Sequence, residues 1–211
     1  MKRDWKRHNL KLKRYEKRLC PKKYRIVAGV DEAGRGPLAG PVVASAVVLK
    51  EFSFKSKIFD SKKLSFSARQ LAFAEIVKKA SVGVGIVNRE IIDKENILQS
   101  TIIAIKVALD NLGVKPDYLL VDGKFNKDAF SYPCQTVVGG DGRCFSIACA
   151  SIIAKVVRDN LMSYYSVLYP QYNFQRNRGY CTKEHVRAIE KHGLSPIHRR
   201  SFRPIRIDNV K

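Results

Sequence analysis

The sequence contains one tryptophan, two methionines and five cysteines. Cys20, Cys134, Cys144, Cys149 and Cys181 form no C-x-x-C pair and no zinc-type array. Their odd number and scattered spacing argue against a disulfide framework or a structural zinc site, and they read as small core or loop residues. No apolar run approaches the roughly 18 to 20 residues that cross a bilayer. The longest, Val42 to Leu49, has the length of a strand. The start, Met1-Lys2-Arg3-Asp4-Trp5-Lys6-Arg7, has no apolar segment behind it, which argues against a secretory signal. The expectation is a soluble, cytoplasmic protein with no membrane partner. Repeats and low-complexity tracts are also missing. Acidic residues are scarce, 19 Asp+Glu against 40 Lys+Arg.

What is present is a 211-residue chain, 45% hydrophobic, with a net charge of +21. That length suits one well-cored domain. Residues 1–25 carry a net +10 and residues 176–211 a net +7, so the excess lies at the two ends of a nearly balanced body. Such ends suit a polyanion, and nucleic acid is the commonest one. Residues 1–23 read as a basic extension with a sparse helical pattern of Leu10, Leu12, Tyr15 and Leu19, closed by Pro21. Residues 24–211 read as one catalytic domain ending in a helical region and a basic tail.

Within that domain, Tyr24 to Val30 and Val42 to Leu49 read as strands, separated by a Gly- and Pro-punctuated turn. Ser65 caps a helix over Phe66 to Lys79, with Leu71, Ile76 and Val77 as its apolar positions. Further strands are expected at Ser81 to Val87, Tyr118 to Val121 and Gln135 to Val138. Further helices are expected at Asn96 to Leu112, Ile147 to Leu161 and Thr182 to His192. This order predicts an α/β fold with a mixed central sheet flanked by helices.

Asp31, Asp122 and Asp141 each follow an expected strand, and Glu32 adjoins the first. Acids at strand ends can meet at one edge of a sheet, where open α/β folds place their sites. Packed like charges destabilise one another unless a cation joins them, and all-oxygen ligation favours Mg2+ or Mn2+. Two such ions can activate water and stabilise a leaving oxygen in phosphodiester cleavage. Asp-Gly pairs are also ordinary turn signals, so spacing alone leaves both readings open. The glycines from Gly29 to Gly36 are not a P-loop, because Arg35-Gly36 stands where Lys-Ser/Thr would be. Nor are they a dinucleotide fingerprint, since Pro37 and Gly40 break that pattern.

The segment Ala28-Gly29-Val30-Asp31-Glu32-Ala33-Gly34-Arg35-Gly36-Pro37-Leu38-Ala39-Gly40-Pro41-Val42-Val43-Ala44 resembles the signature of ribonuclease HII. Matching motifs follow in order: Asp60-Ser61-Lys62-Lys63-Leu64-Ser65, Val121-Asp122-Gly123, Gly140-Asp141, Ala148 to Asp159, Gly179-Tyr180 and His198-Arg199-Arg200-Ser201-Phe202. The likeness spans about residues 15 to 204. Only about two dozen residues precede the first expected strand, which argues against the related ribonuclease HIII with its additional N-terminal domain. The resemblance implies an RNase H-like fold and an endonuclease cutting 5′ of ribonucleotides, leaving 3′-OH and 5′-phosphate ends. Its substrates would be RNA–DNA hybrids and duplex DNA with embedded ribonucleotides, and the enzyme would act as a monomer. It also implies that Asp31, Glu32, Asp122 and Asp141 hold Mg2+ or Mn2+. The backbone of Gly34, Arg35 and Gly36 would read the ribose 2′-OH, the group that distinguishes RNA from DNA. Tyr180 would stack on the sugar at the RNA–DNA junction. Two departures from the family pattern are Cys181 after Tyr180, where glycine is common, and Gly142-Arg143.

Other residues carry two readings each. Lys62 and Lys63 are expected to contact substrate phosphates, oriented by Asp60, or to lie on a solvated turn. His185, His192 and His198 read as structural or phosphate-contacting, because two-metal chemistry needs no histidine. Arg199, Arg200 and Arg203 are expected on the duplex backbone or in a solvated tail. Asp159 is expected to pair with Arg158 or to lie on a helix face, and not to ligate a metal. A nucleic-acid-binding module without catalysis would also explain the basic ends, but it gives no reason for the strand-end acids.

Overall fold

The structure, a computed structural model, describes residues 4–202, which places Arg203 outside the described residues. Helix α1 (Asp4–Leu19) precedes three antiparallel strands: β1 (Val27–Ala33), β2 (Val42–Leu49) and, after helix α2 (Phe66–Lys79), β3 (Ala80–Val87). Helix α3 (Arg89–Asp110) leads to β4 (Tyr118–Asp122) and β5 (Cys134–Val137), which extend the sheet in parallel from β1. Helices α4 (Phe145–Leu168), α5 (Phe174–Asn177) and α6 (Lys183–His192) complete the chain. The sheet order is β3-β2-β1-β4-β5. The expected α/β architecture with a mixed sheet is what the chain adopts.

The sheet is covered on both faces, which is why β2 can read as an unbroken apolar run. On one face Val47 packs with Ile76 of α2 and with Phe145, Ile152 and Val156 of α4. On the other, Val30, Ala44 and Ala46 pack with Ala104, Ile105 and Ala108 of α3. Helix α4 crosses so close to β1 that a Cβ on Gly29 would lie 2.2 Å from the Ser146 carbonyl carbon. No helix among the described residues is long and apolar enough to cross a membrane.

Several boundaries differ from expectation, each for a local reason. Strand β1 includes Asp31, Glu32 and Ala33, because pairing with β2 continues (Asp31↔Ser45, Glu32↔Ala44) after pairing with β4 stops at Val30↔Val121. Helix α3 begins at Arg89 and is interrupted at Asn96, where φ is 64°. The Asn96 side chain accepts from the amides of Leu98 (2.9 Å) and Gln99 (3.1 Å) and so caps the segment that the apolar pattern had marked. In α2 the core positions are Ala72 and Ile76, whereas Leu71 and Val77 are exposed. Helix α4 runs seven residues past Leu161, to Leu168.

The C-terminal region clamps the segment after the glycine turn. The Leu38 amide donates to Gly179 O (2.8 Å), that of Gly40 to Ile197 O (2.9 Å), and that of Arg199 to Leu38 O (2.8 Å). Leu38 and Ala39 are buried among Met162, Tyr172, Phe174 and Ile189.

Candidate active site

Asp31 and Glu32 lie in the part of β1 that extends beyond its pairing with β4, and Asp122 is the last residue of β4. Asp141 sits in a single 3-10 turn, Gly140–Gly142, just after β5. That turn is tied to β4 by the Gly140 amide, which donates to Asp122 Oδ1 at 2.6 Å. Burial pushes the Asp31 carboxyl well above its ordinary range, and the charges of Glu32 and Asp122 push the same way. Burial also raises Glu32, against the opposing pull of Arg35, whose guanidinium lies 3.2 Å from Oε1. Asp141 is raised by burial and by the charges of Asp122 and Asp60.

Asp31, Glu32 and Asp141 thus each feel the negative charge of Asp122. They do not form a preformed cage: among the described residues no three His, Cys, Asp or Glu side chains gather as a metal-holding group. Glu32 Oε2 is buried without a hydrogen-bond partner. An orphaned carboxylate oxygen beside other anions, in an all-oxygen donor set, fits a hard divalent cation.

Beside these acids opens a cavity of about 540 Å3. Its walls include Glu32, Gly34, Arg35, Gly36, Lys62 and Tyr180, six of the residues singled out in the sequence. Lys63 is not in the wall. Its ammonium lies 3.6 Å from Asp60 and 5.4 Å from the Phe59 ring centroid. Sequence reasoning gave no site role to Ser61, Arg69, Ser151, Lys155 or Arg158, which also line the cavity. Ser151 bonds Ser61 (Oγ···Oγ 2.9 Å), joining α4 to the Asp-Ser-Lys turn, and its hydroxyl also faces Asp31. Its place in the family-like segment Ala148 to Asp159 was the signal that pointed there.

Two buried guanidinium groups brace the segment from Gly34 to Pro41. Arg199 donates to the carbonyls of Gly34 (2.6 Å), Arg35 (3.0 Å) and Gly40 (2.9 Å). Arg158 donates to those of Pro41 (3.0 Å), Ala39 (3.1 Å) and Arg178 (3.0 Å). This corrects the expectation of Arg199 on the duplex backbone or in solvent: it is wholly buried. Burial lowers Arg158 to about 10 and Arg199 to about 9, which leaves both charged at neutral pH. Arg158 also explains Gly34: φ is +99°, and a Cβ there would lie 2.1 Å from Arg158 Nε. Because a trans peptide points its N–H opposite to its C=O, carbonyls drawn toward Arg199 turn the amides of Arg35 and Gly36 the other way.

Tyr180 stands beside the turn, its ring edge 3.9 Å from where a Gly36 Cβ would be and its ring centroid 6.0 Å from the Arg158 guanidinium carbon. Its backbone is fixed by a hydrogen-bond relay through the interior. The Ser195 amide donates to His198 Nδ1 (2.9 Å), so His198 carries its proton on Nε2. That Nε2–H donates to His185 Nε2 (2.9 Å), and His185 Nδ1–H donates to Tyr180 O (2.8 Å). Both imidazoles are buried and neutral, in keeping with a structural role. The Tyr180 carbonyl also accepts from the Thr182 amide (2.8 Å), while Cys181 is exposed. The unusual cysteine thus leaves this scaffold intact. Asp159 pairs with Lys155 (2.6 Å) and lies 4.0 Å from Arg69 and Arg178, whereas Arg158, the partner expected of it, is bonded to backbone carbonyls instead.

A mixed five-stranded sheet with acids at the ends of its two central strands, beside a cation-lined cavity, defines an RNase H-like nuclease. The family model of ribonuclease HII matches residues 28–205, and the chain belongs to that family. It is 47% identical to ribonuclease HII of Enterococcus faecalis over 92% of this chain and 76% of that protein. It is 52% identical to that of Thermotoga maritima over 89% and 77%. The crystal structure of ribonuclease H2 from Pyrococcus horikoshii aligns with a TM-score of 0.72 and 27% identity, covering 85% of this chain and 94% of that one. The protein is accordingly a ribonuclease H, a hydrolase acting as an endonuclease.

Proposed function

We propose that the enzyme cuts the phosphodiester bond 5′ of a ribonucleotide, in RNA–DNA hybrids and in duplex DNA carrying embedded ribonucleotides, and leaves 3′-OH and 5′-phosphate ends. The observation that carries this reading is the pairing of an acidic cluster with an adjacent backbone turn whose amides face away from Arg199. In this reading Asp31, Glu32, Asp122 and Asp141 hold two Mg2+ or Mn2+ ions. Once bound, such ions lower the pKa of water and stabilise charge on the leaving oxygen.

The protein's own groups supply selection and alignment. The amides of Arg35 and Gly36 are donors for a ribose 2′-oxygen, and a deoxyribose leaves them unpaired, a discrimination hydrogen-bonding sites make strongly. Gly36 has no Cβ to hold the sugar away, and Tyr180 offers a half-exposed ring for it to pack on. Lys62 and Arg35 place positive charge on the cavity wall, where the scissile and neighbouring phosphates would lie. Lys63, outside the wall, would meet a phosphate further along the strand.

The test is a labelled DNA duplex containing one ribonucleotide, incubated with Mg2+ or Mn2+. A single nick 5′ of that nucleotide, religatable from its 3′-OH and 5′-phosphate ends, is expected. Equal cutting of an all-DNA duplex, or no cutting with either ion, would sink the proposal.

A further inference from the structure

Helix α1 is held against the body by several specific contacts. Leu12 is buried in the core, and Asn9 bonds both the Ser56 carbonyl (3.0 Å) and the Ile58 amide (3.1 Å). The Glu16 carboxylate accepts from the Ser146 amide at 2.7 Å, at the N-terminus of α4. With the helix fixed, its remaining faces are fixed too. At about 100° per residue, Arg7, Lys11, Arg14 and Arg18 fall within roughly 60° of one another, on the side opposite Leu12 and Glu16. All four are exposed, and among the described residues none pairs with an acid. They line an open groove of about 670 Å3 along the helix.

The groove's edge leads to the catalytic loops at both of its ends. His8 packs edge-on against Phe59 at 4.7 Å, and Phe59 precedes Asp60 and the Lys62-Lys63 turn. Seven residues along the helix, the Tyr15 ring carries the Arg143 guanidinium 4.6 Å from its centroid, two residues after Asp141. His8 and Tyr15 both belong to the groove lining. The stripe is therefore joined to the two loops that flank the acidic cluster. The opposite edge of α1, with Lys6 and Lys17, takes no part in it.

Resting on the nuclease reading above, we propose that Arg7, Lys11, Arg14 and Arg18 form an auxiliary duplex-binding surface that grips the phosphate backbone of the substrate beyond the cleavage site. The four charges span 12 residues, about 16 Å of helix, enough to follow successive phosphates. The surface is sequence-blind, because it meets only backbone. It extends the footprint of the enzyme along the duplex and adds nothing to the choice of ribonucleotide.

The experiment compares wild type with R7Q/K11Q/R14Q/R18Q, four exposed substitutions on a helix anchored from its other side. Duplex binding is followed across a salt series without divalent ions, on a long duplex and on a short one trimmed to the span of the catalytic cavity. On the long duplex the slope of log affinity against log salt should become shallower by roughly 2 to 4 in the variant. On the short one the two proteins should agree. The control K6Q/K17Q should keep the wild-type slope on both. An unchanged slope on the long duplex overturns the proposal, and so does an equal loss on both lengths, which would show only general charge attraction. An acidic protein or an anionic membrane as the true partner would appear as that unchanged slope. Single-turnover nicking by saturating variant should match wild type. If wild type fails to nick at a ribonucleotide at all, the nuclease reading fails separately from the slopes.

Discussion

The guanidinium of Arg199 donates to the carbonyl of Gly34 at 2.6 Å, joining residues 165 positions apart. One planar fork collects three carbonyls of the glycine turn, so its orientation sets that of the amides on the other side. Arg199→Lys keeps the charge and loses the fork. With two of the carbonyls left unpaired in the interior, stability should fall by about 2–4 kcal/mol. Nicking at a ribonucleotide should fall more than about tenfold, as small misplacements do, with affinity for an all-DNA duplex of equal length nearly unchanged. Urea unfolding and single-turnover cleavage measure the two effects. Wild-type nicking by the lysine variant would show that the turn needs no such support.

The two glycines of the turn should separate folding from recognition. Gly34→Ala meets a positive φ and the Arg158 side chain at once, so it should lose about 1–3 kcal/mol of stability together with activity. Gly36→Ala meets nothing nearer than the Tyr180 ring edge at 3.9 Å. Its stability should stay within about 0.5 kcal/mol of wild type. Its methyl group stands where the sugar should approach, and nicking should drop about tenfold or more. A fully active Gly36→Ala would mean the ribose does not come close to this backbone.

Asp122→Asn should abolish cleavage and leave the fold intact. The amide oxygen can still accept from the Gly140 amide, while one negative charge leaves the neighbourhood of Asp31, Glu32 and Asp141. In a chelator the variant should be as stable as wild type or more so, by about 1 kcal/mol, because repulsion among buried acids is relieved. Added Mg2+ or Mn2+ should raise the melting temperature of wild type and raise that of the variant less. Equal metal stabilisation of the two proteins would remove Asp122 from the ligand set.

What the sequence made legible follows from how local each signal is. Asp122 ends an apolar run and Gly123 follows, so the strand end and its acid could be read together. Asp31 and Glu32 were identified, yet their strand was drawn too short, because pairing of β1 with β2 outlasts its pairing with β4 and only a sheet register reveals that. Nothing in a C-terminal His-Arg-Arg run distinguishes a solvated tail from a buried strut. Arg199 became a strut because Leu38 and Ala39 bond into that segment, a closure set by tertiary packing. The His185–His198 relay was illegible for the same reason.

That relay gives the protein a defined acid sensitivity. Burial, then the neighbouring His185, push His198 down to about 4 from an ordinary 6.5. A histidine whose folded pKa is depressed contributes stability that is fully present above its unfolded pKa and is lost as pH falls through the folded one. The window is therefore pH 6.5 to about 4, and the full contribution is up to roughly 3 kcal/mol. Asp31, Glu32 and Glu16, raised by burial, act with the opposite sign in acid, so a difference between proteins is the quantity to measure. His198→Gln keeps a donor for His185 Nε2 and does not titrate. Its stability should vary less than that of wild type between pH 6.5 and 4, by denaturant unfolding at matched ionic strength. Parallel profiles for the two proteins would show that His198 takes up its proton without opening the C-terminal region, and that the relay does not hold this region together in acid.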